Sequence, residues 1–231
     1  MATPRYVAFD RQTIGFLQEL KANNNREWFK ENKSRYEDLV LDVALRFIQS
    51  MQNPLAEFAP HFVAMPTRVG GSLMRVYRDT RFSKIKIPYK TNIGIQFRHG
   101  LAKDVHSPGF YVHIEPDNVF LGAGMWRPDS ESLKNIRQRI AAKPVEWKLT
   151  MNDRAFKRHF KLGGESLLRP PRGFDKEHEC IADIKRKSFI AVKNMDVDAC
   201  LNPKFQQQVE TAFRSATPYM KFLCKAVGVP F

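Results

Sequence analysis

The chain has 231 residues, of which 43% are hydrophobic, and it carries a net charge of +14. A chain of this length buries enough apolar surface to fold without disulfides, and its three cysteines form no CxxC pair, which argues against a zinc ribbon or a disulfide framework. No run of about 18 uncharged apolar residues is present, which excludes a spanning helix, and the first residues, MATPRYVAFDRQTI, lack the apolar core of a signal peptide. We therefore expect a cytoplasmic protein in a reducing environment.

The positive charge is concentrated in one part of the sequence. Residues 134–193 hold sixteen basic and seven acidic residues, whereas residues 1–60 hold eight of each. Such asymmetry is typical of proteins with an anionic partner, such as nucleic acid or a phosphorylated ligand. A solvated Lys/Arg surface explains the same counts equally well, so both interpretations stay open at this point.

The first part of the chain has helical periodicity. The segment DRQTIGFLQELK predicts a helix that begins after Asp10, a typical N-cap residue, and ends at the Asn23–Asn25 run. A long helix is predicted over residues 26–51, and Asn24 with Glu27 resembles a capping box at its start. Its apolar stripe belongs to the core and comprises Phe29, Tyr36, Val40, Val43, Phe47 and Met51.

The middle of the chain changes to a period of two residues. The segments LMRVYR, NIGIQFR and FYVHIE alternate apolar and polar side chains, and NVFLGAG follows the turn-like PDN. Period-two patterning with short connections predicts an antiparallel meander of at least four strands, built from residues near 73–124.

The last part of the chain returns to helices. A helix capped at Asp129 or Ser130 is predicted for RPDSESLKNIRQRIAAK. A short helix ending at Gly163 and Gly164 is predicted for NDRAFKRHFKL, and one late strand is predicted for KSFIAVK. The C-terminal segment is predicted helical, with a break near Pro218. Helices, then strands, then helices indicate an α+β fold: an antiparallel meander sheet packed by an N-terminal long helix and C-terminal helices. We expect a single domain over residues 1–231.

The segment RVYRDTRFSKIKIPYKT is the strongest candidate for an anion site. Arginine side chains bind phosphate or carboxylate with two parallel hydrogen bonds, and basic residues interleaved with aromatic ones also suit nucleic acid. The candidate anion-binding residues are Arg75, Arg78, Arg81, Lys84, Lys86 and Lys90.

Acid–base groups are predicted on the same polar face of the sheet. If Met74 and Val76 face the core, the alternating residues face away from it and join the polar side of FYVHIE. We expect one cleft that combines an arginine with three candidate catalytic residues able to move a proton: Arg75, with Asp79, His113 and Glu115. The alternative is a pair of ordinary cross-strand ion pairs, Arg75–Glu115 and Arg98–Asp79.

Other chemical motifs are weak. The histidines lack metal-ligand spacing, so no metal site is predicted, and no Walker A, Rossmann or G-x-S-x-G fingerprint occurs. The segment GAGMWRP could bring backbone close to a ligand ahead of a helix start, although a tight hairpin exit explains its glycines about as well.

Four segments, in this order, resemble a widespread bacterial and fungal family of uncharacterised proteins, domain-of-unknown-function family 2461. They are FLQELKANNNREWFKENKSRYE, RVYRDTRFSKIKIPYKT, GFYVHIEP, and FLGAGMWRP followed by LKNIRQRI. The resemblance covers nearly the whole chain and implies one full-length domain, without an activity, a substrate or a catalytic residue. The family usually has Asp between the two lysines of the basic motif, where this chain has Ile85, so an acid at that position is not needed here.

Three functions follow from the sequence as competing hypotheses. The first is binding or turnover of a phosphorylated or other anionic small molecule at the basic site, the second a nucleic-acid-binding module, and the third an interaction protein without catalysis. A membrane partner is not expected. The sequence leaves open whether the protein is an enzyme, which cofactor it uses and its oligomeric state.

Overall fold

A computed structural model describes residues 9–79, 81, 87–101 and 107–231. Within these residues the chain forms helices and a five-stranded antiparallel sheet with strand order β1-β2-β3-β5-β4, which confirms the predicted α+β class. The strands are β1 Ile93–Arg98, β2 Gly109–Glu115, β3 Asn118–Met125, β4 Lys161–Gly163 and β5 Phe189–Met195.

Helices lie before β1, between β3 and β5, and after β5 in the sequence. They are α1 Arg11–Ala22, α2 Arg26–Glu31, α3 Lys33–Tyr36, a π-helical turn Glu37–Leu41, α4 Asp42–Ser50, α5 Gln52–Phe58, α6 Ser130–Ala142, α7 Pro144–Asn152, α8 Arg154–His159, α9 Ile181–Ile184, a 3₁₀ turn Val197–Leu201, α10 Phe205–Ser215 and α11 Thr217–Val227. The break between α10 and α11 falls at Ala216, close to the break predicted at Pro218. In the described part of the chain, none of the helices has the length and apolar character to cross a bilayer.

The predicted long helix over residues 26–51 is confirmed from Lys33 to Ser50, where α3, the π-helical turn and α4 follow one another without a break. Its first turns, α2, are separated from the rest at Asn32, whose side-chain amide donates to the carbonyl of Trp28 at 2.9 Å, and such local side-chain bonds compete with the helical backbone pattern. The predicted capping box is wrong: Asn25 caps α2, accepting from the Trp28 backbone N–H at 2.9 Å. Asn24 instead bonds the backbone of Tyr89.

The predicted strand near residues 73–79 is wrong as well. Leu73 bridges Ile95, but four residues later Tyr77 bridges Tyr89. Both bridges pair with β1 or the segment that leads into it, but the register shifts by two residues between them, so no continuous ladder forms. The sheet is completed instead by β5, which the sequence predicts, and by β4, which follows directly after α8 where the sequence predicts a longer helix.

One face of the sheet forms the centre of the core. Its side chains are fully buried against the C-terminal helices, and the rings of Phe110 and Phe213 lie 4.8 Å apart. The core-facing residues alternate along the strands and include Ile95, Phe97, Val112, Ile114, Leu121 and Ala191. The opposite face, which we call the open face, carries Gln96, Tyr111, Phe120 and Val192 and is only partly buried.

Candidate functional site

The basic motif forms a hairpin base beside the sheet edge. Its two arms are joined by backbone hydrogen bonds from Arg78 to Pro88 at 2.9 Å and from Lys90 to Val76 at 2.7 Å. Tyr89 stacks on Phe29 with ring centroids 4.0 Å apart. The N-terminal helices therefore fix the position of the hairpin base and the direction of its side chains.

A cleft of about 600 Å³ lies between this hairpin base and the π-helical turn. We call it the basic cleft, because five cationic side chains and one carboxylate, that of Glu37, are among its described lining residues. The cations are Lys33, Arg68, Arg75, Lys90 and Arg98. The sequence predicts Arg75 and Lys90 for this role, whereas Lys33 and Arg68 come from other parts of the chain.

A tight turn brings Arg68 to the cleft. Gly70 has φ +72°, and a Cβ added at Gly71 would lie 2.5 Å from the Met65 carbonyl oxygen. Gly70 requires glycine because its backbone is left-handed, and Gly71 requires it because a side chain there would meet the backbone of Met65. The glycine pair in TRVGGS is therefore the sequence signal that places this arginine.

The basic cleft crowds like charges together. Burial lowers the pKa of Lys90, and the neighbouring guanidinium groups of Arg75 and Arg78 lower it further. Among the described residues, no side-chain carboxylate is within ion-pair distance of these three cations. The acid at the cleft, Glu37, lies 3.8 Å from Arg68. The local balance of charge is therefore positive, with partial compensation of Arg68 by Glu37 and Asp42 and of Arg75 by Asp79, whose pKa Arg75 helps to lower.

Asp79 is paired away from the acid–base groups. Its carboxylate accepts from the Arg81 guanidinium at 3.0 and 2.7 Å, and these hydrogen bonds lower its pKa to about 2. An acid held ionised in this way does not exchange a proton near neutral pH. Arg81 is engaged by the same pair, and the predicted residues Lys84 and Lys86 lie outside the described residues, as does Ile85.

His113 and Glu115 lie together on the open face, as the strand alternation predicts. His113 Nε2 is 3.4 Å from the Glu115 carboxylate, and its Nδ1 is 3.1 Å from the Tyr111 hydroxyl. Thr91 donates to the other Glu115 oxygen at 2.9 Å. The imidazole also stacks on Phe120, with centroids 4.5 Å apart. These contacts fit an imidazole that donates from Nε2 and accepts at Nδ1.

Burial governs the protonation of this cluster. Desolvation lowers the pKa of His113 despite the opposing effect of Glu115, so the imidazole is neutral at pH 7. Burial raises the pKa of Tyr111 to about 12. A hydroxyl with this pKa keeps its proton near neutral pH, so the hydrogen bonds from Tyr111 through His113 to Glu115 fix the orientation of the imidazole.

The structure brings the predicted site residues into two groups. Arg75 lies in the basic cleft, and no hydrogen bond or ion pair among the described residues joins it or Asp79 to His113 or Glu115. The alternative cross-strand pairs do not form either, since Arg98 donates to the Gly70 carbonyl. The shift of pairing register between Leu73 and Tyr77 interrupts the alternation on which the expected shared cleft depends.

A second concavity lies on the open face, next to the basic cleft. We call it the sheet groove; it has a volume of about 560 Å³ and includes Tyr111, Phe120, Gly122 and Trp126 in its lining. Part of the segment GAGMWRP thus lies at a concave surface. The N-terminus of the helix that follows is already capped, since Asp129 accepts from the Glu131 and Ser132 backbone N–H groups at 2.9 Å.

Metal and thiol chemistry find little support in the described part of the chain. No cluster of three or more His, Cys, Asp or Glu side chains there could hold a metal ion. Cys180, Cys200 and Cys224 are buried and unpaired. Burial raises the pKa of Cys200 to about 11 and that of Cys224 to about 12, so these two thiols stay protonated at neutral pH.

Comparison with known proteins agrees with the resemblance seen in the sequence. The family model described as "Conserved hypothetical protein (DUF2461)" matches residues 12–222. No curated protein matches the chain.

Proposed function

Since the chain belongs to the DUF2461 family of conserved hypothetical proteins, we propose from the geometry of its site that it binds a phosphorylated or other anionic small ligand in the basic cleft. The observation that carries this proposal is the grouping of Arg75, Arg78 and Lys90 without a carboxylate among the described residues within ion-pair distance. Crowded like charges destabilise a fold unless something compensates them. A bound anion supplies that compensation.

The shape of the basic cleft supports a small ligand. A volume of about 600 Å³ is in the usual range of small-molecule sites, and the arginines provide planar forks that match a phosphate or carboxylate. The π-helical turn Glu37–Leu41 contributes two lining residues, and such turns occur frequently at functional sites. The aromatic rings of Tyr36 and Tyr77 add apolar surface beside the charges.

Titration calorimetry with inorganic phosphate, at low ionic strength and near-neutral pH, tests the proposal. We expect saturable binding to the wild-type protein and a loss of affinity of about tenfold or more in Arg75→Ala/Lys90→Met, because a hydrogen bond to a charged group contributes about 1.5–3 kcal/mol. Methionine keeps the aliphatic stem of Lys90 and its packing.

A control variant with the same loss of charge distinguishes binding at a specific site from attraction to the protein's overall positive charge. Arg169 and Arg172 are exposed and lie in the loop between β4 and α9, away from the basic cleft. Arg169→Ala/Arg172→Ala removes the same net charge and is expected to leave phosphate affinity within about twofold. Equal losses in both double variants, or no phosphate binding to the wild type, would contradict the proposal.

A nucleic-acid partner is a second candidate, supported by the exposed cations Arg154, Lys157 and Arg158 on α8. Contact with about six phosphates would give a log–log salt slope near −5 on duplex DNA. Calorimetry with duplex DNA in place of phosphate distinguishes the two functions: nucleic-acid binding predicts that replacing the α8 cations lowers DNA affinity more than Arg75→Ala/Lys90→Met does, and that affinity falls steeply with salt. Binding that ignores salt removes this candidate.

A further inference from the structure

The sheet groove differs from the basic cleft in its chemistry. Its described lining residues include no charged side chain, and three aromatic residues, Tyr111, Phe120 and Trp126, stand around it. Ile190 and Val192 of β5 add aliphatic surface. A groove of about 560 Å³ with mainly aromatic and aliphatic surroundings and few polar groups suits the apolar part of a small molecule.

Glycines keep the groove open. Gly122 occupies an open-face position in the middle of β3, where it pairs with Tyr111 on one side and Val192 on the other. A Cβ added at Gly122 would meet Tyr111 Cβ at 3.4 Å, an ordinary contact, so sterics alone do not require glycine at this position. Glycine inside a strand weakens it by roughly 0.5–1 kcal/mol relative to alanine. We interpret glycine at this position as keeping the space above β3 free of a side chain.

The groove and the basic cleft are adjacent. Met74 and Gln96 line both of them, so a molecule whose anionic group lies beside Arg75 and Lys90 can extend over Met74 onto the open face. The Tyr111 hydroxyl at the groove is held by His113 Nδ1 at 3.1 Å. This hydroxyl, with the side-chain amides of Asn118 and Asn194, gives a mainly apolar surface a few polar groups.

We propose that the ligand is an amphipathic organic anion, with its charged group in the basic cleft and a planar, apolar body in the sheet groove. The inference rests on the proposed function and adds the chemical class of the ligand. Charge complementarity assigns the anionic end, and the rings of Tyr111, Phe120 and Trp126 assign the planar end, since aromatic side chains stack on flat apolar groups.

Three probes test the inference by calorimetry: inorganic phosphate, glycerol phosphate and 1-naphthyl phosphate. They share the anion and differ in the attached body. We expect the naphthyl ester to bind the wild-type protein about tenfold or more tighter than the glycerol ester, because burying roughly 100 Å² of apolar ring at about 25 cal/mol per Å² corresponds to more than that factor.

A side chain that fills the groove should remove the preference for the naphthyl ester without changing the affinity for inorganic phosphate. Gly122→Val is expected to bring the naphthyl ester to within about threefold of the glycerol ester and to leave inorganic phosphate unchanged, while the smaller Gly122→Ala has an intermediate effect. Trp126→Ser, at a half-exposed residue, gives a second variant that folds even if valine disturbs β3. It is expected to lower the preference at least threefold.

The outcomes separate the two proposals. Phosphate binding without a preference for the naphthyl ester, or a preference that survives both Gly122→Val and Trp126→Ser, overturns the inference and leaves the anion site standing. No binding of any probe to the wild-type protein overturns the anion site and the inference with it. Loss of naphthyl preference in both groove variants, with phosphate affinity retained, supports the inference.

Discussion

Gly124 fixes the contact between β3 and β5 beneath the sheet groove, and replacing it with alanine tests the described packing there. Its φ is +124°, and a Cβ at this position would lie 2.0 Å from the Phe189 carbonyl oxygen. The oxygen belongs to the backbone of a paired strand, so a change of side-chain rotamer cannot relieve the clash. We expect Gly124→Ala to lower the free energy of unfolding by about 3 kcal/mol or more, combining roughly 1–3 kcal/mol of backbone strain with weakened ladder hydrogen bonds.

Equilibrium unfolding in urea measures the effect, and Gly122→Ala is its control on the same strand. The control Cβ has its closest contact at 3.4 Å, so its unfolding free energy is expected within about 1 kcal/mol of wild type. For a protein of this size, about 3 kcal/mol corresponds to a fall in Tm of roughly 6–12 °C. A Gly124→Ala protein no less stable than Gly122→Ala would refute the described approach of β3 to Phe189.

Two further predictions concern buried polar groups. Burial lowers the pKa of His113, so as the pH falls the unfolded chain binds a proton at this imidazole before the folded chain does. The free energy of unfolding of the wild-type protein therefore falls as the pH drops from about 6.5 toward the folded-state pKa. Urea titrations should show that His113→Gln loses less stability over that interval, and an identical loss in both proteins would count against the burial. His99 and His159, whose pKa values are also lowered, contribute equally to both proteins. The buried Tyr219 hydroxyl has no hydrogen-bond partner among the described residues, so Tyr219→Phe should leave the unfolding free energy unchanged or raise it by about 1 kcal/mol, and a clear loss of stability would reveal a partner.

Much of the sheet could be predicted from alternation alone. The core-facing sides of β1 and β2 read directly from NIGIQFR and FYVHIE, because each has a buried face that fixes which residues point inward, whereas KSFIAVK, apolar at four successive positions, predicts a strand without assigning its inward face. The caps at Asp10 and Asp129 were equally readable, since their side chains satisfy the free N–H groups at a helix start. The expectation of a single domain stays a prediction.

The arrangement of the site depended on contacts distant in sequence. Tyr77 pairs with Tyr89, two residues out of the register that the Leu73–Ile95 bridge sets, and no local pattern in RVYRD indicates this shift. Lys33 and Arg68 enter the basic cleft from a helix and a glycine turn. Periodicity assigns a side chain to a face within one element, but it does not say which separate elements share a cleft.

The pKa of Lys90 is the most direct test of the central claim that the basic cleft holds an anion. It can be followed by NMR of ¹³C-labelled lysine side chains, with Lys90→Met identifying the resonance. In the free protein burial and the neighbouring arginines lower this pKa below the ordinary lysine value. A phosphate bound beside the ammonium group favours its charged form, so added phosphate should raise the Lys90 pKa. It should leave unchanged the pKa of Lys193, which burial also lowers, because Lys193 does not line the basic cleft. A Lys90 pKa that does not respond to saturating phosphate, or a rise shared equally by Lys193, would contradict the account.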